Sequence, residues 1–206
     1  MRTWLKGTLV LCVALGMVSV AQAQRQRGGF GPGAMLQNEG VQKELKITDD
    51  QKTKLKEALD KVREDNKDIL AKGFQDMTRE DREKLAKATN EAIAKVLDEK
   101  QTKRFKEIQL QTQGANAFST PEVQSKLKLS DDQKDKIKKI NEESREKMRD
   151  LFGGGFSEET AKKMAELRKE TMDKATGVLS DDQKKTWKEM TGKPFEFRFG
   201  GRRPRT

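Results

Sequence analysis

An ungapped internal duplication is the feature that most constrains this chain. Residues 41–108 recur 82 positions later as residues 123–190, beginning V-Q-K-E-L-K-I-T-D-D-Q-K in one copy and V-Q-S-K-L-K-L-S-D-D-Q-K in the other. The same offset aligns the Gly-Phe pair at 73–74 with the Gly-Phe pair at 155–156. Such a match is hard to obtain from similar composition alone. The chain is therefore predicted to contain one structural unit twice.

Apolar residues recur at three- and four-residue steps through both copies, as on one face of an amphipathic helix. In the first copy this stripe consists of Leu55, Leu59, Val62, Ile69 and Leu70, with Asn66 interrupting it. Glu and Lys pairs in the favourable i, i+4 order occupy the opposite faces, and no stretch alternates like a strand. We predict an all-α fold: two tandem helical-hairpin repeats, each with a further short helix, forming an elongated helical bundle with flexible basic termini.

The same patterns predict the organisation of the chain. Gly and Pro residues interrupt the helical pattern between the copies, which indicates a linker there. The predicted segments are a signal peptide at 1–23, a flexible Gly/Arg-rich segment at 24–35, helical repeat 1 at 36–113, the linker at 114–121, helical repeat 2 at 122–192 and a basic tail at 193–206.

The first 23 residues have the pattern of a targeting segment. Two basic residues precede an apolar run at 8–20, and Ala-Gln-Ala ends it, as a signal peptidase requires. The run is shorter than the ~20 residues that span a bilayer. We predict cleavage between Ala23 and Gln24 and a periplasmic or secreted mature protein. Cys12 lies in the removed segment, so the mature chain forms no disulfide.

A motif of Leu or Ile, then Thr, Ser or Asp, then Gln three residues later occurs four times. The candidate capping residues are Thr48 and Gln51, Asp98 and Gln101, Ser130 and Gln133, and Ser180 and Gln183. In a capping box the first side chain accepts the backbone N–H three residues on, and the Gln returns to the backbone of the cap. We interpret the motifs as helix starts whose preceding apolar residue points into the core. The second copy also fits within a continuous helix.

Four such motifs on charged helical hairpins behind a signal peptide resemble the LTXXQ-motif family of bacterial periplasmic proteins, which includes the Spy and CpxP type. The resemblance covers most of residues 41–192. It implies an all-helical, cradle-shaped protein that binds unfolded or aggregating clients without ATP, or that reports envelope stress. Family members are dimers. Four motifs in one chain indicate a tandem duplication in which two halves imitate what the family builds from two chains.

The residue types that are missing exclude several chemistries. The chain has no His, which excludes Ser-His-Asp and Cys-His catalysis, the usual zinc ligands and a histidine proton shuttle. Paired acids such as Asp49-Asp50 are neighbours on a helix and do not face one site, and no D-x-D-x-D-G loop is present. They fit the first turns of helices, where carboxylates meet the helix dipole. We predict no enzymatic activity, no cofactor and no metal.

The net charge is +10, and much of the excess lies at the two ends. The candidate residues for an anionic surface are Arg25, Arg27, Arg198, Arg202, Arg203 and Arg205. For an exported protein, an anionic envelope surface is a better partner than nucleic acid, and a purely solubilising tail is the alternative. Phe195, Phe197 and Phe199 predict either a short segment packed on the bundle or an exposed apolar patch.

The leading hypothesis is an exported chaperone-like or stress-adaptor protein, with unfolded or stress-damaged proteins, or another envelope protein, as partners. The candidate client-binding residues are Met148, Phe152, Phe156, Met164 and Met172, because Met adapts to varied partners. Ordinary core packing is the alternative interpretation of these residues. The second hypothesis is a non-catalytic structural or interaction protein tethered to anionic envelope components by its basic tails. The sequence does not indicate an oligomeric state.

Overall fold

The computed structural model describes residues 31–72, 76–153, 155 and 157–196, and these form ten α-helices and one 3₁₀ helix, with no β-strand among them. The α-helices are α1 (Pro32–Met35), α2 (Glu39–Glu44), α3 (Asp49–Asp65), α4 (Lys67–Ala71), α5 (Arg79–Ala94), α6 (Glu99–Gln113), α7 (Pro121–Leu127), α8 (Asp131–Gly153), α9 (Glu158–Gly177) and α10 (Asp181–Thr191); the 3₁₀ helix is Gly114–Ser119. The predicted all-α class is confirmed for this part of the chain.

The first repeat is a helical hairpin in which α3 packs against α5, with α1 also against α5. The apolar stripes of these helices meet in one core cluster, as the period of the sequence predicts. Its buried members are Met35, Leu36, Val41, Leu45, Ile47, Leu55, Leu59, Ile93, Leu97, Phe105 and Ile108. Val41 of α2 and Ile108 of α6 are fully buried, so these two helices complete this core.

The second repeat is the hairpin of α8 and α9, which pack along each other and around the 3₁₀ helix. Its buried core consists of Ala115, Ala117, Phe118, Val123, Leu127, Leu129, Ile137, Ala175, Leu179 and Trp187. Every member except Ala115 lies 82 positions after a member of the first cluster. The structural correspondence between the two cores therefore begins at Met35 and Leu36, before residue 41, where the sequence match begins.

Residues 114–121 join the repeats, as the sequence indicates for a linker, but they are not an exposed connection. The 3₁₀ helix places Ala117 and Phe118 fully inside the second core. The ring of Phe118 lies 4.4 Å from that of Trp187, centroid to centroid. This segment is thus structural core of the second repeat, since it occupies the place that residues 32–37 occupy in the first.

The first repeat contains two helix breaks, one at the second motif and one at Asn66. The second motif does not continue a helix: α5 ends at Ala94, and α6 begins at Glu99 behind the cap Asp98. In the first repeat the first helix of the hairpin is interrupted at Asn66, which separates α3 from α4. The side-chain amide of Asn66 donates to the carbonyl of Val62 at 2.8 Å. The equivalent position in the second repeat is Met148, which makes no such bond, and α8 continues to Gly153.

The apolar residue ahead of the cap is buried in all four motifs, at Ile47, Leu97, Leu129 and Leu179. For Ile47 the local cause is a left-handed residue, Lys46, at a φ of 53°. Ile47 N donates to Gln42 O at 2.9 Å and Lys46 N donates to Lys43 O at 3.1 Å. These are the two bonds of a Schellman motif, which turns the next apolar side chain back onto the helix. Lys128, at a φ of 50°, repeats the arrangement before Leu129.

The repeats contact each other where α6, the last helix of the first repeat, packs against α10, the last helix of the second, and against the 3₁₀ helix. Residues 192–195 then leave α10 and cross onto the first repeat; we call them the strap. Phe195 at the end of the strap packs against the first core cluster. The described start of the predicted basic tail is therefore packed on the bundle, while residues 197–206 lie outside the described residues.

Candidate functional site

All four motifs form capping boxes, and the Gln side chains then meet in pairs. In the first repeat the backbone N–H of Thr48 donates to Gln51 Oε1 at 3.1 Å, and that of Asp98 donates to Gln101 Oε1 at 3.0 Å. The two side chains also bond to each other, Gln51 Nε2 to Gln101 Oε1 at 2.7 Å and Gln101 Nε2 to Gln51 Oε1 at 3.1 Å. The starts of α3 and α6 are thus joined side by side.

Each amide nitrogen also reaches a backbone carbonyl of a neighbouring turn. Gln51 Nε2 donates to Val96 O at 3.2 Å, and Gln101 Nε2 donates to Leu45 O at 3.0 Å. These are the free carbonyls at the ends of the preceding helices, which need partners. Each Gln side chain therefore caps the start of its own helix and also bonds to a free carbonyl at the end of another helix.

The second repeat has the same network at equivalent positions. Gln133 and Gln183 bond to each other at 2.8 and 3.0 Å, and their amides donate to Val178 O and Leu127 O at 2.9 and 3.1 Å. Ser130 and Ser180 supply the caps. In both repeats the motif residues thus cap two helix starts and bond to the carbonyls of two neighbouring turns.

A groove of about 940 Å³ lies between the two repeats. Its walls come from α1, α6, the 3₁₀ helix, α8, α9, α10 and the strap. The apolar lining consists mainly of Met35, Leu110, Met148, Phe152, Met172, Trp187 and Phe195; the amide lining consists of Gln109, Gln111, Gln113, Asn116 and Asn141; and the cationic lining consists of Arg145, Arg168 and Lys169. An open cleft with apolar and hydrogen-bonding surface is the usual form of a binding site.

Three of the five candidate client-binding residues line this groove: Met148, Phe152 and Met172. Phe152 is 55% exposed, the largest exposure among the big apolar side chains described. Met164 is instead buried, at 5%, and does not line the groove. Phe156 lies outside the described residues.

Sequence reasoning missed the part of the groove that comes from the first repeat and from the core. Leu110, Met35 and Trp187 fit core positions by their spacing, and they do pack in the cores, yet one edge of each reaches the groove. No sequence signal indicated these three residues. For Arg145, which was also missed, a signal existed, because Arg145, Met148 and Phe152 form an i, i+3, i+7 series on one face of α8.

The strap forms one end of the groove and is held by two side chains of α6. Gln111 Nε2 donates to the carbonyls of Thr191 and Lys193 at 2.5 and 2.8 Å, and Gln111 Oε1 accepts the N–H of Phe195 at 2.7 Å. Arg104 also donates to Lys193 O, at 2.9 Å. A peptide segment is thus already bound here by side-chain groups acting on its backbone.

Arg104 is fixed in turn by two carboxylates. It donates to Glu44 at 2.7 Å and to Glu107 at 2.8 Å. Burial lowers the pKa of Arg104, but the hydrogen bonds to Glu107 and Glu44 raise it by more, so the pKa lies above its ordinary value. The guanidinium therefore stays charged and links α2, α6 and the strap.

The part of the chain that the structure describes also bears on metal-binding clusters, membrane-spanning helices and the predicted anionic-surface residues. No group of three or more His, Cys, Asp or Glu side chains placed to hold a metal occurs among the described residues. No helix in the same part of the chain is long and apolar enough to cross a membrane. The six candidate anionic-surface residues, from Arg25 to Arg205, lie outside the described residues. Comparison with protein-family models, curated proteins and solved structures found no match to this chain.

Proposed function

We propose that this protein is an exported, ATP-independent chaperone-like or envelope-stress adaptor protein that binds unfolded protein segments in the groove between its repeats. The observation that carries the proposal is the convergence of Met148, Phe152 and Met172 with apolar residues of the first repeat around one open groove. The proposal assigns no catalytic role to any residue.

The chemistry of the groove suits unfolded chains of varied sequence. Met side chains are flexible and polarizable and accept many apolar partners. Side-chain amides supply both donors and acceptors for backbone groups that an unfolded segment leaves unpaired. Gln111 already bonds to the strap backbone in this way. The signal-peptide pattern and the resemblance to the LTXXQ-motif family support the same assignment.

The test is suppression of aggregation of a reduced or heat-unfolded model protein by residues 24–206 without nucleotide, followed by light scattering across molar ratios. Phe152→Gln is expected to weaken the suppression, because it removes exposed apolar surface from the groove. Leu70→Gln is the matched control. Leu70 occupies the equivalent position in the first repeat and is also exposed, at 42%, but does not line the groove.

Saturable suppression near stoichiometric ratios that falls with Phe152→Gln and persists with Leu70→Gln would support the proposal. Absence of suppression by a chain that circular dichroism shows to be folded would overturn it. That result would favour the alternative, a structural or interaction protein tethered to anionic envelope components by its basic tails. Binding to anionic vesicles that disappears on deletion of residues 197–206 would then identify the tether.

A further inference from the structure

We propose that the groove selects segments in which carboxylate side chains lie close to apolar ones, so that acidic, partly apolar stretches of unfolded proteins are its preferred clients. This inference rests on the proposed function and specifies its substrate class. The observation behind it is a one-sided charge: three cations line the groove, and among the described residues that line it none carries a carboxylate.

The three cations are exposed, and no described residue pairs with them. Arg145, Arg168 and Lys169 form no ion pair and no side-chain hydrogen bond with another described residue. Arg168 and Lys169 lie on α9, where the cations away from the groove are paired: Lys163 lies 2.8 Å from Glu159, and Lys174 lies 2.7 Å from Glu170. On α9, the unpaired positive charge is thus found where the helix lines the groove.

The cations and the apolar residues alternate along the same helix faces. Arg145 lies one turn before Met148 on α8, and Arg168 lies one turn before Met172 on α9. A bound segment that buries an apolar side chain against either Met therefore brings its neighbouring side chains within reach of a cation. Carboxylates at those neighbouring positions gain charge-assisted hydrogen bonds, preferentially to Arg.

The amide lining favours a peptide over a lipid as the occupant. Gln109, Gln113 and Asn116 offer donors and acceptors that a peptide backbone can satisfy and an acyl chain cannot. The contacts of Gln111 with the N–H of Phe195 and the carbonyl of Lys193 show the same recognition on a peptide already at the groove.

The chain's own ends are poor occupants, although both continue from residues that line the groove. Residues 24–30, ahead of Pro32, carry two Arg and no acid, and residues 197–206, beyond Phe195, carry four Arg and no acid. The net charge of both ends has the same sign as that of the three cations that line the groove, and like charges repel. Charge complementarity therefore indicates a segment of another protein.

The experiment measures the binding of three fluorescently labelled synthetic peptides to residues 24–206 by anisotropy at low ionic strength. The peptides have equal length and equal leucine content, and their remaining variable positions are all Glu, all Gln or all Lys. The Glu peptide is expected to bind most tightly and the Lys peptide most weakly. Added salt is expected to reduce the difference in affinity between the peptides, because the three cations are exposed to solvent and salt screens exposed charges.

The triple variant Arg145→Gln, Arg168→Gln, Lys169→Gln tests the residues. We expect roughly tenfold weaker binding of the Glu peptide, from three exposed charge contacts, with little change for the Gln peptide. The matched control is Lys56→Gln, Lys87→Gln, Lys103→Gln. It removes the same charge from exposed positions of the first repeat that do not line the groove, and it is expected to retain the preference.

The outcomes separate this inference from the proposed function. Equal affinity for the three peptides, or equal loss in both triple variants, would overturn the acidic preference while leaving client binding intact. Failure of all three peptides to bind, together with absent aggregation suppression, would overturn the proposed function itself. Displacement of the Glu peptide by phosphatidylglycerol vesicles, but not by phosphatidylcholine vesicles, would overturn the inference in favour of a lipid surface.

Discussion

The side-chain amide of Gln51 faces that of Gln101, and each donates to the oxygen of the other, at 2.7 and 3.1 Å. A Glu at either position could accept the N–H of the cap, but it could not donate. A fifth capping box among the described residues, formed by Thr78 and Asp81, makes this distinction visible. There Asp81 accepts the N–H of Thr78 at 3.1 Å, has no helix end to close, and is an acid. The motif therefore requires Gln for the second function of the side chain.

Gln101→Glu is expected to keep the cap and the bond that Gln51 Nε2 donates, and to lose the two bonds that Gln101 Nε2 donates. Leu45 O and Gln51 Oε1 each lose a donor, and an unsatisfied partly buried acceptor costs about 1 to 3 kcal/mol. Urea denaturation followed by circular dichroism measures the loss in free energy of unfolding.

Asp81→Gln is the matched control, because it replaces an acid by an amide at the same position of another capping box. Its side chain caps its own helix and pairs with Lys72, but it closes no second helix end, so the loss in free energy of unfolding is expected to be clearly smaller than that of Gln101→Glu. Similar losses in both variants would mean that the Gln pair contributes nothing beyond capping.

Phe195→Ala is expected to destabilise the protein, because the ring packs against the first core cluster and holds the strap. Removing a partly buried ring costs about 1 to 3 kcal/mol, less than the full core value. Phe152→Ala removes a ring that is mostly in solvent and is expected to cost under about 0.5 kcal/mol. Thermal unfolding of both variants measures the difference, and equal losses would contradict the role of the strap.

Gly192→Ala is expected to destabilise more than Gly114→Ala. Both glycines have positive φ, 61° and 56°, so each Ala carries backbone strain of about 1 to 3 kcal/mol. A Cβ at Gly192 would also collide with the carboxylate of Glu107, which Arg104 holds, whereas nothing lies within 4 Å of a Cβ at Gly114. Denaturant unfolding of the pair isolates the collision. An equal loss would show that Glu107 moves aside freely.

The contribution of Asp81 to stability is expected to depend on pH. The hydrogen bond from Lys72 at 2.9 Å, and then that from the Thr78 backbone, lower the pKa of Asp81 below its ordinary 3.8. A lowered folded pKa means that the stabilisation is complete above the unfolded pKa and is lost as pH falls through the folded value. Asp81→Asn retains an acceptor for the cap but not the charge.

The melting temperature of Asp81→Asn is therefore expected to lie below that of the unchanged protein at neutral pH and to approach it below about pH 4. Thermal unfolding across pH measures the difference. A constant difference down to about pH 2 would contradict the assigned role of the charge.

The helices could be predicted because their signals are local. Apolar spacing and the caps at Thr48, Asp98, Ser130 and Ser180 specify starts and buried faces within a few residues of sequence. The core role of the 3₁₀ helix could not be predicted in this way. Gly114 and Pro121 indicate a break, but the burial of Phe118 depends on Trp187, which lies 69 positions later.

The groove was predictable only on one side. Met148 and Phe152 are identifiable as apolar residues on the end of a charged helix. Their partners across the groove, such as Leu110 and Phe195, are positioned by the docking of α6 on α10 and by the hydrogen bonds of Gln111. No local pattern specifies that docking.

The position of the strap after both hairpins sets an order of assembly. Phe195 follows α10 in the chain, so a chain emerging from a ribosome presents both hairpins before the strap is available. Domains generally fold from the N-terminal side as synthesis proceeds. The groove therefore acquires its end wall last, and a chain truncated before Phe195 would have both helical cores but a binding surface open at one end.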